Sequence, residues 1–295
     1  MEPVRIVDRT AFRNGRIEDG ARAVADETPV ALTYNGGTHA VMMATPHDLA
    51  DFAVGFSLSE GIVNTPDDIL SLDVIELQDG IELRMWLAPD RAERVNERRR
   101  QIAGPTGCGI CGIESIAEAI RPAAVVSNGG RFSAEEILSA MQAITPLQQI
   151  NSATRAAHAA AFWAPARGIV ALREDVGRHN ALDKLAGALA RQRITAGDGV
   201  VLLTSRVSVE MVQKTAAMGA ALMVAVSAPT ALAVRMADAA GITLVAIARA
   251  DGFEIFTHSE RITDTPIVAP GASQASRCAK PYPSKADVRE PLHVA

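Results

Sequence analysis

The fold is decided by the stretch Val200-Val-Leu-Leu-Thr-Ser-Arg-Val-Ser208. Its four apolar residues, followed by polar ones, are typical of a short strand buried on both faces of a sheet. The next residues, Val209 to Met218, have the apolar spacing of a helix, and Ala221 to Ser227 form a second buried strand. A strand, a helix and a strand in this order indicate an α/β unit.

The same alternation extends on both sides of this unit. The further predicted strands are Ala157–Trp163, Gly168–Arg173 and Thr243–Ala248, and the further predicted helices are Asn180–Arg193 and Ala231–Ala240. Upstream of them, Ser133 and Glu136 form a capping box that starts a helix ending at Ile144. The pattern predicts a mainly parallel sheet covered by helices on both faces.

The region before this sheet has a different pattern. Two β-hairpins are predicted, one around Asn35-Gly36 and one around Asp79-Gly80, because both dipeptides favour tight turns between alternating strands. Between the hairpins, Thr45 as N-cap and Pro46 at the first helical position predict a helix that stops at Gly61. This region is therefore α+β, in a chain whose overall class is α/β.

These patterns divide the chain into five parts. The predicted organisation is an N-terminal extension (1–27), an α+β domain (28–100), a cysteine loop with a short helix (101–120), an α/β domain (121–265) and a disordered tail (266–295). The extension is polar and weakly patterned, and the tail is rich in Ala, Ser, Pro and charge. Cys278 lies in the tail and is given no role.

Composition excludes several classes of protein. The 295 residues are 48% hydrophobic and 21% charged, with a formal net charge of -5, which argues against non-specific nucleic-acid binding. The first 25 residues carry charges throughout, and no apolar run is long enough to span a bilayer. Three cysteines, of which only two are close in sequence, fit a reducing compartment. We therefore expect a cytoplasmic protein that binds neither membranes nor nucleic acids.

The cysteine pair lies on the glycine-rich stretch Gly104-Pro-Thr-Gly-Cys108-Gly-Ile-Cys111-Gly-Ile-Glu-Ser115. The glycines leave both sulfurs approachable, and a helix predicted to start just after the loop favours thiolate over thiol. Three chemistries are compatible with this pair. They are an all-cysteine zinc site shared across a dimer, a thioredoxin-like redox pair, and a sulfur carrier that holds a persulfide.

Polar residues gather at the junctions between the predicted strands and helices. In an open α/β sheet these junctions converge at one edge, so arginines, hydroxyls and helix N-termini there predict an anion-binding site. Its candidate residues are Arg155, His158, Arg178, His179, Ser205, Arg206, Ser227 and Thr230. The alternative for each residue is a structural role, such as helix capping by Asp175, Ser208 and Thr230. No Walker loop is present, which argues against a P-loop ATPase.

Several long motifs, in order, resemble the formate dehydrogenase accessory sulfurtransferase family, FdhD. They are Gly107-Cys-Gly-Ile-Cys-Gly112, Thr154-Arg-Ala-Ala-His-Ala-Ala-Ala161, Glu174-Asp-Val-Gly-Arg-His-Asn-Ala-Leu-Asp-Lys184, Ser205-Arg-Val-Ser-Val-Glu-Met-Val-Gln-Lys214 and Ser227-Ala-Pro-Thr-Ala-Leu-Ala-Val234. The resemblance covers roughly residues 28–260. It implies a C-terminal domain with a three-layer, cytidine deaminase-like sheet. The deaminase motif P-C-x-x-C is missing, so deamination is not expected.

The resemblance also implies a function. Family members take sulfur from a cysteine desulfurase and deliver it to molybdenum bis(molybdopterin guanine dinucleotide) for formate dehydrogenase. By resemblance, Cys108 is the persulfide carrier, Cys111 its helper, and the molybdenum cofactor a bound acceptor, with no permanent cofactor or metal and with a homodimer expected. The implied guanine-dinucleotide contact maps to Ile247, Ala248, Arg249, Ala250, Asp251 and Gly252. The competing hypothesis is a non-catalytic regulatory module that binds zinc or a guanine nucleotide.

Overall fold

Three β-sheets and six α-helices are formed by residues 1–92 and 122–263, the part of the chain that this computed structural model describes. The cysteine loop predicted at 101–120, with Cys108 and Cys111, lies outside the described residues. So does the tail predicted at 266–295. The expectations for these two segments therefore stay predictions.

The N-terminal extension forms a two-stranded antiparallel ribbon. Strands β1 (Val4–Arg13) and β2 (Arg16–Ala25) pair in continuous register along their whole length. They are joined by Asn14 and Gly15, which have φ angles of 51° and 77°. This is the turn geometry that Asn-Gly favours, so the dipeptide was the sequence signal for a hairpin in a stretch that otherwise reads as weakly patterned.

The predicted hairpins of residues 28–100 are both confirmed. They comprise β3 (Thr28–Tyr34) with β4 (Gly37–Ala44), and β5 (Ile69–Leu77) with β6 (Gly80–Leu87). A parallel pairing of β3 with β6 joins them into one sheet of order β4-β3-β6-β5. Helix α1 (Leu49–Ser59) packs against one face of this sheet, where Leu32, Phe52 and Leu83 are fully buried.

The predicted start of α1 is wrong. The helix begins at Leu49, with Asp48 as N-cap in the left-handed region at φ 54°, three residues later than the Thr45-Pro46 signal indicated. Thr45 is fully buried, and its backbone N–H donates to Asp175 Oδ2 at 3.0 Å. Its hydroxyl accepts from the backbone N–H of Val176 at 3.1 Å. The N–H and hydroxyl groups with which Thr45 would cap the helix are therefore engaged in long-range hydrogen bonds instead.

The larger sheet has six strands in the order β12-β11-β10-β9-β7-β8. Its strands are β7 (His158–Ala164), β8 (Gly168–Asp175), β9 (Val200–Leu203), β10 (Leu222–Ala225), β11 (Thr243–Arg249) and β12 (Gly252–Ile255). The prediction of a mainly parallel sheet is confirmed only in part. Strands β8, β9, β10 and β11 run in one direction, but β7 and β12 run opposite to them, so only the pairings of β9 with β10 and of β10 with β11 are parallel. Apolar periodicity locates a buried strand but carries no information about its direction.

Helices cover both faces of this sheet, as predicted. The described helices after α1 are α2 (Ala134–Ile144), α3 (Gln149–Thr154), α4 (Arg178–Arg191), α5 (Val209–Ala217) and α6 (Ala231–Ala239). On one face α2 packs through Ile137 and Ile144. On the other face α4, α5 and α6 pack through residues such as Leu185 and Val212. Three layers result, and the predicted capping box of Ser133 and Glu136 is confirmed at α2.

Helix α1 also packs against α4, which joins the smaller sheet to the larger one. The two helices approach closely because Gly55 and Gly187 lie at their crossing. A Cβ atom on Gly55 would lie 2.6 Å from the backbone nitrogen of Gly187, closer than real Cβ contacts come. The described residues accordingly belong to one compact unit.

Candidate anion-binding site

The predicted site residues lie along one edge of the six-stranded sheet. The carboxyl ends of β8, β9, β10 and β11 meet there. Because β7 runs antiparallel to its neighbours, its first residue, His158, also lies at this edge, opposite Asp175 of β8. The carboxyl ends of parallel strands meet at one edge even though the reversed strand β7 lies between β8 and β9, so the edge predicted from the sequence is the edge that forms.

Hydrogen bonds tie the loops of this edge to one another. The backbone N–H of Ala159 donates to Thr204 Oγ1 at 2.8 Å, which joins the start of β7 to the end of β9. Val207 donates to the carbonyl of Ala228 at 3.3 Å and accepts from the N–H of Thr230 at 3.0 Å, which joins the loops after β9 and β10. Most of these bonds are between backbone groups, so the edge is held in shape independently of its exposed side chains.

Strand β11 has a β-bulge at Ile247, at the same edge of the sheet. The register of β11 against β12 shifts between Ala246 and Arg249, and Ile247 has a φ of 54°. A β-branched residue is rarely found in this left-handed region, and such strain concentrates at functional sites. The N–H of Ile247 donates to the carbonyl of Ser227 at 3.3 Å, and Arg249 Nη1 donates to the carbonyl of Val226. Both contacts hold the predicted dinucleotide turn beside the loop after β10.

Two arginines make this edge electropositive. Arg178 is the first residue of α4, and its Nε is buried without a hydrogen-bond partner in the described structure. Arg206 is exposed in the loop after β9. Half-burial lowers the pKa of His158 below its ordinary value, and the charges of Arg178 and Arg206 lower it further, against an opposing effect of Asp175. His158 is therefore neutral at pH 7, and both cations act on the same place.

A second histidine lies at the start of α4. His179 Nε2 is 3.4 Å from Ser208 Oγ and 3.7 Å from Glu210 Oε2. Burial, followed by the charge of Arg178, lowers the pKa of His179 to about 4, although Glu210 opposes the shift. The imidazole thus stays neutral at pH 7. It contacts the N-terminus of α5, where Ser208 is the N-cap residue but makes no capping hydrogen bond with its side chain.

The remaining predicted site residues have more local roles in the structure. Thr230 caps α6, since its Oγ1 accepts from the N–H of Ala233 at 3.2 Å, which is the structural alternative raised for it. Ser205 is buried, and its hydroxyl donates to the carbonyl of Arg206 at 3.0 Å. Arg155 is exposed and ends α3 in the left-handed region at φ 62°. Within the turn after Ile247, Ala248 is buried, Ala250 and Asp251 are exposed, and Gly252 begins β12.

Comparison with known proteins identifies the family. The family model described as the FdhD/NarQ family matches residues 25–263. The chain belongs to the FdhD/NarQ family. A relative from Agrobacterium fabrum named sulfur carrier protein FdhD is 52% identical over 259 residues, which cover 88% of this chain and 96% of the relative. A protein of the same name from Cupriavidus necator is 49% identical over 252 residues, covering 85% of this chain and 87% of its own length.

The architecture of this FdhD/NarQ chain also has a counterpart among solved structures. A crystal structure from Desulfotalea psychrophila, described as a formate dehydrogenase accessory protein, matches with a TM-score of 0.68 at 24% identity. The match covers 88% of this chain and 99% of that one, and it establishes a shared fold. Among residues 1–92 and 122–263, none of the helices combines the length and the apolarity needed to cross a bilayer.

The sequence reasoning missed the structural importance of two lysines in these FdhD/NarQ motifs. Lys184 and Asp175 are both fully buried, with Lys184 Nζ 2.6 Å from Asp175 Oδ2. Lys184 also donates to the carbonyl of Thr45 at 2.9 Å. The other oxygen, Asp175 Oδ1, accepts from the N–H of Gly177 at 2.7 Å and from Asn180 Nδ2 at 3.0 Å. This ion pair positions Gly177, the N-cap of α4, and hence the start of the helix that carries Arg178.

The second lysine belongs to a separate buried cluster. Lys214 of α5 donates to Asp183 of α4 at 2.9 Å and 3.0 Å, and to Ser59 Oγ at 2.9 Å. Burial lowers the pKa of Lys214, but the charges of Asp183 and Glu60 outweigh it and the net pKa is raised. The sequence signal for this cluster is an ionisable residue inside the apolar pattern of a helix. Such a residue is buried only when it is paired, so its position indicates a buried partner of opposite charge.

The described residues contain no cluster suited to a metal ion. No three His, Cys, Asp or Glu side chains come together closely enough between residues 1 and 92 or between 122 and 263. His158 and His179 lie at the site edge beside arginines, which disfavour a nearby divalent cation. The described part of the site is therefore suited to an anion.

Proposed function

We propose that this protein is a cytoplasmic sulfurtransferase that carries sulfur, as a cysteine persulfide, from a cysteine desulfurase to the molybdenum bis(molybdopterin guanine dinucleotide) cofactor of formate dehydrogenase. Family membership and relatives named sulfur carrier protein support the sulfur-transfer role. The observation that carries the acceptor side of the proposal is the electropositive sheet edge, where the Nε of Arg178 is buried without a partner.

The sheet edge matches the chemistry of the acceptor. Each arm of the cofactor ends in a guanosine diphosphate-like group, which brings a pyrophosphate and a purine. Arg178 at the start of α4 and Arg206 after β9 supply positive charge for the pyrophosphate, together with the N-terminus of α4. The bulge at Ile247 presents the turn that ends at Gly252, which we assign to the guanine end of the nucleotide.

Cys108 and Cys111 perform the sulfur chemistry in this proposal. The Cys108 thiolate attacks the outer sulfur of a desulfurase persulfide; a new bond joins that sulfur to Cys108, and the desulfurase cysteine leaves as a thiolate. The Cys111 thiolate then attacks Cys108 Sγ. A Cys108–Cys111 disulfide forms, and the outer sulfur, reduced by two electrons, leaves as hydrosulfide for the cofactor. A dithiol reductant returns the disulfide to two thiols.

Two further expectations belong to this proposal. The three layers around the six-stranded sheet are compatible with the cytidine deaminase-like class, used here to bind a nucleotide rather than to deaminate it. A homodimer would offer two equivalent edges to a cofactor that has two nucleotide arms. Size measurement in solution by light scattering tests the dimer directly.

Sulfur mass on the protein tests the carrier. Wild-type protein incubated with a cysteine desulfurase and cysteine should gain the mass of one sulfur atom, and Cys108→Ala should not. If Cys108→Ala still gains that mass and still supports formate dehydrogenase activity, the assignment of Cys108 is wrong. Stoichiometric zinc in the purified protein, lost in Cys108→Ala, would instead indicate the regulatory module.

Nucleotide binding tests the acceptor site separately. We expect guanosine diphosphate to bind the wild type and to bind about tenfold more weakly to Arg206→Ala, because a charge-assisted contact to phosphate is lost. Arg167→Ala is the matched control, since Arg167 is exposed beyond the other end of β7. Equal binding by wild type and Arg206→Ala would remove Arg206 from the site.

A further inference from the structure

The two faces of the N-terminal ribbon differ in charge. Residues paired directly across an antiparallel ribbon share a face, so the register assigns every side chain of β1 and β2. All five arginines of the ribbon fall on one face, accompanied there by a single acid, Glu18. They are Arg5, Arg9, Arg13, Arg16 and Arg22. The opposite face carries Asp8, Asp19 and apolar residues such as Phe12 and Ile17.

One of these arginines is half-buried and lacks an acceptor. Arg9 lies over Gly20, the residue paired with it, and a Cβ on Gly20 would be 3.8 Å from Arg9 Nη2. Its Nη1 is buried and has no hydrogen-bond partner in the described structure. Arg5 differs, because its Nη2 donates to Asp26 at 2.9 Å. A buried guanidinium N–H without an acceptor is unfavourable, and a bound anion would satisfy it.

The arginine face stands beside the candidate site. Both strands of the ribbon contact α3, and Arg22 Nη2 donates to the carbonyl of Thr154 at 3.4 Å. Thr154 is the last residue of α3, Arg155 follows it, and β7 begins at the site edge with His158. The ribbon therefore adds arginines next to the end of the site that Arg155 occupies.

We propose that the arginine face of the ribbon extends the anion site, with Arg9 and Arg22 binding the pyrophosphate of a nucleotide arm. This proposal rests on the proposed function, because the nucleotide is the same one that we assign to the sheet edge. Charge identifies the occupant: five arginines against one acid attract a polyanion, whereas the net charge of -5 for the whole chain disfavours nucleic acid. The family model matches residues 25–263, so nearly all of the ribbon lies outside the matched range.

Paired ligands that differ only in phosphate test this site. Calorimetric titration of the full chain with guanosine diphosphate and with guanosine should show that Arg9→Gln weakens binding of the diphosphate about tenfold and leaves guanosine unchanged. Arg22→Gln should act in the same direction. Arg167→Gln, which removes the same charge at the opposite edge of the sheet, should change neither. Unchanged thermal unfolding of Arg9→Gln shows that the fold is intact.

The outcomes separate this inference from the proposed function. If the wild type binds guanosine diphosphate and Arg206→Ala weakens binding while Arg9→Gln and Arg22→Gln do not, the ribbon is not part of the site, and the proposed function stands. If the wild type binds no guanosine diphosphate, both are overturned. If Arg9→Gln loses affinity only for a DNA duplex, the arginine face binds nucleic acid and the inference is wrong.

Discussion

Gly55 of α1 and Gly187 of α4 lie against each other where the two helices cross, and neither position has room for a larger residue. A Cβ on Gly55 would lie 2.6 Å from the nitrogen of Gly187, and a Cβ on Gly187 would lie 2.8 Å from the nitrogen of Gly55. The obstacle in both cases is helix backbone, which cannot rotate away as a side chain can. The crossing thus sets the distance between the smaller sheet and the larger one.

Gly55→Ala should therefore destabilise the protein although alanine favours a helix. Separating α1 from α4 loses packing on both sides, and we expect a loss of about 3 kcal/mol in the free energy of unfolding. Urea denaturation measures it. Gly197→Ala is the control, because a Cβ there meets nothing within 4 Å. Equal stabilities for the two variants would mean that the helices do not touch at Gly55.

Lys184→Met should be more costly than loss of a surface ion pair. It leaves Asp175 charged and fully buried, and removal of one partner from a buried pair costs about 3–5 kcal/mol. The control is Asp67→Asn, since Asp67 and its partner Arg193 have side chains that are 74% and 81% exposed. Exposed pairs contribute about 0–1 kcal/mol. A cost below 1 kcal/mol for Lys184→Met would contradict the buried pair.

Stability should fall as the pH is lowered from about 6.5 to 4. The folded-state pKa of His179 is about 4, against an ordinary value of 6.5, so in this window the unfolded chain binds a proton that the folded chain does not. The loss has an upper bound of about 3 kcal/mol. The pKa of Glu210 is also lowered: burial opposes the shift, but the hydrogen bond from Ser208 and nearby His179 outweigh it. Stability is therefore lost further as Glu210 becomes protonated at lower pH.

Melting temperatures measured between pH 7 and 4 test this linkage. His179→Gln should flatten the profile, because glutamine does not titrate. His47→Gln is the matched control, because it replaces a histidine whose side chain is 55% exposed. A profile that is equally steep in wild type and His179→Gln would show that other groups control the acid sensitivity.

Arg178→Lys tests the geometry of the anion site apart from its charge. Lysine keeps the positive charge but lacks the guanidinium fork, so the contact that the buried Nε could make is lost. We expect guanosine diphosphate to bind about tenfold more weakly, with little change in melting temperature. Arg167→Lys is the matched control. Full affinity in Arg178→Lys would mean that charge alone is recognised there.

Local patterns predicted the elements of the fold well, and long-range contacts explain the failures. The buried strand at Val200, both hairpins and the Ser133 capping box follow from sequence neighbours, and all are confirmed. Thr45 has the local signature of an N-cap, but its partners come from Asp175 and Val176, about 130 residues away in sequence. The antiparallel direction of β7 depends on the turn into β8, for which apolar spacing carries no signal.

The position of the candidate site, like the elements of the fold, was predictable from local sequence patterns, whereas its long-range contacts were not. Polar residues after buried strands identified the edge at which His158, Arg178 and Arg206 gather, because the convergence of parallel strands is a general property of such sheets. The left-handed conformation of Ile247 was not predictable, since it opposes the preference of a β-branched residue and is held by the register of β11 against β12. The sequence offers a helix-capping role for Asp175, whereas in the structure Asp175 forms a buried ion pair with Lys184.

The contact of Thr45 with Asp175 and Lys184 has a consequence for how the chain folds and how it can be divided. A fragment of residues 122–263 alone would keep the pair of Lys184 and Asp175 but would lose the hydrogen bonds that both side chains make to the backbone of Thr45. The two described parts should therefore fold as one cooperative unit. Proteolytic cleavage between residues 92 and 122 should yield a nicked protein that stays assembled and unfolds in a single transition.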